Sequence, residues 1–146
     1  MTHFKIISAV AVVGILSGCA AAGASGAKAA QVEVDLYSGR VNPQATLSQS
    51  ATDELVGIVR EGKDDATAVE GDQTGDLGFR GFIVTLDDGT SATIVVRVVY
   101  DAIYLEDDTA ITRIADDDGT AYRLVLDDIE NELDTEAVTA IVEGEK

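Results

Sequence analysis

The sequence predicts an α+β fold: a small antiparallel sheet of three to five strands with two helices packed on one face, preceded by a signal peptide and a flexible tether. Three observations carry this reading. An alternating run, "QVEVDL", opens residues 31–146. A stretch with apolar residues at helical spacing follows, and then two β-branched runs flank an Asp-Gly turn.

The first run places Val32, Val34 and Leu36 on one face and Glu33, Asp35 and Tyr37 on the other, the pattern of a half-buried strand. It ends in "SGRVNP", turn material that contains the only proline, Pro43. In "LSQSATDELVGIVREG", Ala51, Leu55, Ile58 and Val59 recur at helical spacing. Ser48 or Ser50 can cap this helix, Asp53 suits its first turn, and Gly62 is placed to end it. Residues 63–76, "KDDATAVEGDQTGD", are polar and lack a period, which predicts a long loop.

"LGFRGFIVTL" and "SATIVVRVVY" are strand-like, and "DDGT" between them supplies the positive φ angles of a tight hairpin. "DAIYL" extends the sheet through a short further segment. "AITRIADDDGTAYRLVL" reads either as a second hairpin around Asp118-Gly119 or as a helix from Ala121. Tyr122, Val125, Leu126, Ile129 and Leu133 share one helical face, and that pattern persists longer than the alternation, so the helix is preferred. "DTEAVTAIVEGEK" reads as a last short helix fraying into a tail.

The N-terminal residues speak of address rather than fold. "MTHFK" carries Lys5, an apolar run spans Ile6 to Leu16, and small residues follow, as in a secretory signal peptide. The run is shorter than the roughly 20 residues a spanning helix needs. "LSGC", Leu16-Ser17-Gly18-Cys19, resembles the lipobox of bacterial lipoproteins at all four positions. That resemblance implies recognition by a signal peptidase at Leu16, Ser17 and Gly18, cleavage before Cys19, and lipidation of the Cys19 thiol. It divides the chain into a signal peptide (1–18), a lipidated N-terminus and linker (19–30) and an acidic α+β domain (31–146). Ala20 stands where an Asp would, by the same resemblance, retain a lipoprotein in the inner membrane. The periplasmic face of the outer membrane is therefore the expected location, with the membrane as partner through the N-terminal lipid.

Composition excludes much chemistry. The chain carries a net charge of −17, and loss of residues 1–18 removes Lys5 and no acid, giving −18. His3, the only histidine, goes with them, and Cys19 is the only cysteine. Zinc sites built on His or Cys, and Ser-His-Asp or Cys-His nucleophiles, are thereby excluded from the mature chain. The acidity argues against nucleic acid, whose phosphates call for Lys and Arg clusters. The acidic runs "LDDGT", "LEDDTA" and "ADDDGTAY" lack the alternating oxygen ligands of a calcium loop and read as turn formers. A carboxylate hydrolase, for which Asp107 and Asp108 are candidates, lacks a set of sugar-stacking aromatics beyond those the core needs. No metal and no cofactor is expected.

Two segments resemble together a group of small bacterial proteins of uncharacterised role. Those carry a Ser-Gly-Arg-Pro-Asn-Pro-like turn and a Leu-Gly-Tyr-Arg-Gly-Phe-like strand. Here Ser38, Gly39, Arg40, Asn42 and Pro43 match the first motif, and Leu77, Gly78, Arg80, Gly81 and Phe82 the second. Val41 replaces the usual proline, and Ala45 stands where tryptophan is frequent. The resemblance implies no activity. Physically, Arg40 and Arg80 beside glycines offer two guanidiniums to clamp a small anion. The preferred alternative is that each pairs with a local acid such as Asp35 or Asp76. The functional expectation is a lipid-anchored cell-envelope protein with a non-enzymatic structural or interaction domain, an envelope protein as its partner. The alternative is a binding module for an anionic or peptide ligand at Arg40 and Arg80.

Overall fold

The computed structural model describes residues 28–36, 39, 41–69, 79–87, 93–106 and 110–144. The signal peptide, the "LSGC" stretch, most of the tether, Arg40 and the hairpin turn after Asp87 lie outside these residues. Seven strands form one antiparallel sheet: β1 (Gln31–Val34), β2 (Gln44–Thr46), β3 (Thr67–Val69), β4 (Phe82–Asp87), β5 (Thr93–Val99), β6 (Ala102–Glu106) and β7 (Ile111–Ala115). Their spatial order is β2-β1-β4-β5-β6-β7-β3. Three helices accompany them: α1 (Gln49–Gly62), α2 (Thr120–Ile129) and α3 (Thr135–Gly144).

The α+β class agrees with the sequence, but among the described residues the sheet holds seven strands rather than three to five and the helices number three rather than two. The two strands without a sequence signal, β2 and β3, have three residues each and sit at the two edges. Three residues are too few to show a period, and their pairing is imposed by the neighbour strand. β3 also corrects the expectation of a loop over 63–76: Lys63–Asp65 form a 3-10 turn, and Thr67–Val69 pair with Ile111–Arg113. In the ambiguous segment the preferred helix is present, and of the hairpin reading only the first strand and the turn are. Ile111–Ala115 is a strand, Asp116 to Gly119 turn, and the helix starts at Thr120.

Strand registers sort the side chains onto two faces. Val34, Phe82, Val98, Ile103 and Ile114 lie opposite one another across β1, β4, β5, β6 and β7, and all are buried. These residues join one apolar cluster with the buried faces of α1, α2 and α3, which include Leu55, Val59, Tyr122, Ile129 and Ile141. The helices thus cover one face of the sheet. The opposite face carries the row Gln44, Glu33, Ile83, Arg97, Tyr104, Arg113 and Thr67.

Local polar contacts set the helix starts. The Ser48 hydroxyl accepts from the Ala51 N–H at 3.3 Å, capping α1, and donates to Asp128 of α2 at 2.7 Å. One serine therefore starts one helix and ties it to the next. Asp116 does similar work for α2. Its carboxylate accepts from the backbone of Thr120 at 3.0 Å and of Ala121 at 2.9 Å, where the helix dipole favours negative charge. The "ADDDGTAY" run is thus a turn joined to a helix cap, with Gly119 in the left-handed region at φ 65°.

Candidate functional site

The sequence places Asp35 on the solvent side of β1. The structure leaves it on the face away from the helices but buries it, at 4% exposure. Its backbone N–H donates to Gly81 and its carbonyl accepts from Arg80, so pairing of β1 with β4 continues one step past both strands. Its carboxylate then meets two guanidiniums. Oδ1 accepts from Arg80 Nη2, and Oδ2 accepts from Arg97 Nη1 at 2.7 Å. Asn42 closes the group: its Nδ2 donates to Glu33 at 2.7 Å, and its Oδ1 accepts from the Leu36 N–H at 3.1 Å.

Gly81 makes this arrangement possible. Phe79 and Phe82 are three residues apart, yet both rings lie on the core side, 5.2 Å between centroids. Strict strand alternation would put them on opposite faces. At Gly81 the chain takes φ 109°, a conformation that side chains rarely adopt. The same step sends Arg80 to Asp35 on one side while Phe79 and Phe82 pack with Tyr122 on the other. A Cβ at Gly81 would also lie 2.6 Å from the Val98 carbonyl oxygen. The described part of this motif, Phe79 to Phe82, thus sends two rings to the core side and one guanidinium to the other.

The two motif segments are brought together, as Asn42 and Pro43 from the first and Arg80, Gly81 and Phe82 from the second all surround the end of β1. Arg80 is engaged by Asp35, the acid named as its alternative partner; Arg40 lies outside the described residues. Arg97 was not singled out from the sequence. Its signal was present, a single charge inside the β-branched run "TIVVRVV". A guanidinium there has to be neutralised, because an unpaired buried charge costs several kcal/mol.

Arg97 is only partly satisfied. Its residue exposure is 8%, and its Nε is buried with no hydrogen-bond partner among the described residues. Glu106 Oε1 approaches that nitrogen at 3.9 Å, an ion pair too long for a hydrogen bond. Further along the same row, Arg113 donates to Asp101 at 3.2 Å. A hydrogen bond with Tyr104 and the charge of Asp101 raise the Arg113 pKa against a lowering by burial. Chemically, the network commits both Asp35 oxygens to fixing the fold. A small anion at Arg80 would have to compete with that carboxylate.

Among the described residues, no cluster of three or more His, Cys, Asp and Glu has a metal-holding arrangement, and no helix is long and apolar enough to cross a membrane. Comparison with family models, with curated proteins and with solved structures gave no match to this chain.

Proposed function

We propose that the chain is a bacterial lipoprotein whose domain is held at the cell envelope by lipid on Cys19 and serves as a structural or interaction module. The observation that carries this is the "LSGC" stretch at the end of an apolar run of eleven residues, Ile6 to Leu16, whose last residue is its leucine. One acyl chain holds a protein to a bilayer only marginally, whereas two or three on one cysteine add about 0.8 kcal/mol per buried methylene and hold firmly. Eleven residues, 20–30, separate Cys19 from Gln31, where β1 begins. Even fully extended, they reach at most about 40 Å, so the domain works close to the membrane surface.

The module reading draws on how the charged groups are used. Asp35 pairs with both Arg80 and Arg97, and Asp116 caps a helix. Each of these side chains has a structural employment. Mass spectrometry of the mature protein tests the anchor. Diacylglyceryl and acyl mass on Cys19, with loss of residues 1–18, is expected; an unmodified thiol overturns it. Crosslinking from the anchored domain in cells then tests the interaction role, a reproducible envelope protein being the expected product.

A further inference from the structure

A second sheet row lies under the helices: Ala45, Val32, Val84, Val96, Leu105, Thr112 and Ala68, one from each strand. Burial falls along it. Val84 and Val96 are fully buried, Leu105 and Thr112 half-buried, and Ala68 exposed. The cause is where α1 stops. Gly62, its last residue, lies so close to β7 that a Cβ there would run into the Ile114 side chain. The helix therefore lands on the row ending at Ile114, and the chain leaves through the Lys63–Asp65 turn into edge strand β3.

Among the described residues, the row beyond is only partly covered. An open depression of about 430 Å³ is lined by Ile94, Leu105 and Thr112 together with Lys63, Ala66 and Glu106. That volume falls within the range of small-ligand sites. No acid lies within ion-pairing distance of the Lys63 ammonium among the described residues. Glu106, by contrast, is within 3.9 Å of the Arg97 guanidinium, which offsets its charge. Among the described lining residues, Lys63 is thus the one charge without an opposite charge beside it. The lining strands β5, β6 and β7 each have a neighbour on both sides, so they present no free edge to a peptide backbone. Apolar lining residues, one such cation and no backbone to pair with suit a small amphiphile.

We propose that this depression binds a free medium-chain aliphatic carboxylate, its chain on Ile94 and Leu105 and its headgroup on Lys63. The site is separate from the Asp35 network and does not depend on lipidation of Cys19. Sodium octanoate titrated into the full-length Cys19→Ser protein, followed by NMR at individual backbone and methyl groups, provides the test. Saturable shifts at Ile94, Leu105, Thr112 and Ala66 are expected. Lys63→Gln should weaken binding by up to about fivefold, the effect of losing an exposed ion pair, and Lys63→Arg should restore it. Octylamine should not bind, because its charge repels Lys63. Non-saturating shifts, unchanged affinity in Lys63→Gln, or tighter binding of a short peptide ending in leucine would each overturn the proposal. Lys63 is exposed, so these variants leave the fold intact and every outcome is readable.

Discussion

On the helix-covered face, Val34, Phe82, Val98, Ile103 and Ile114 make an unbroken apolar row across five strands. On the other face, the neighbouring row holds Glu33, Ile83, Arg97, Tyr104 and Arg113 on the same five strands. Both faces bury side chains, but by different physics. The apolar row gains about 25 cal/mol for each Å² removed from water, wherever its neighbours lie. The charged group gains only when Asp35, Arg80 and Arg97 meet in one geometry, because each alone would be costly to bury. The first face therefore tolerates variation in detail, while the second depends on every member.

The largest expected effect lies on the apolar side. Phe82→Ala removes a fully buried ring that packs on Phe79 and Tyr122, and should cost about 3–5 kcal/mol in urea unfolding. Asp35→Ala should cost about 3 kcal/mol, by leaving two guanidiniums without their acid. Combining Asp35→Leu with Arg80→Met and Arg97→Met should recover most of that loss. If the triple variant instead stays as unstable as the single, the charges contribute more than mutual neutralisation and the comparison breaks.

Gly81→Ala tests the hinge between the faces. Backbone strain and the nearby Val98 carbonyl should cost about 2 kcal/mol, and the near-ultraviolet circular dichroism of Phe79 and Tyr122 should weaken with it. An unchanged spectrum would mean that the face switch does not depend on glycine.

Arg113→Gln, at the exposed end of the charged row, should cost less than about 1 kcal/mol and lose even that in high salt. The sign of its pH dependence follows from its raised pKa. The folded state holds the proton more tightly than the unfolded one, so this contribution is complete at neutral pH and fades only in strongly alkaline solution. A large, salt-independent loss would show that Arg113 belongs with the buried network.

Helix α1 was legible because its apolar residues recur over fourteen positions between a capping serine and a terminal glycine. Even there, Val56 is fully packed whereas Ile58 is only partly so, since the period gives the face and the neighbours choose its centre. β4 and β5 were legible from composition and turn chemistry. β2 and β3 were not, because three residues carry no period and their strand state comes from Gln31–Glu33 and Ile111–Arg113 beside them. Of the candidate site, Arg80 and its partner Asp35 could be named. Arg97 lies 62 residues from Asp35 along the chain, and nothing local announces their pairing.

By itself the sequence determined the α+β class, the helices' apolar faces, the absence of histidine and thiol chemistry from residues 20–146, and the case for a lipid anchor at Cys19. Those are properties of residue type and spacing within one element. Only the tertiary structure decided that Asp35 is buried, that Gly81 brings Phe79 and Phe82 to one face, and that α1 stops one row short of fully covering Leu105. Each depends on which strand lies beside which, and that is settled when distant segments bury their surfaces together rather than by any one stretch of chain.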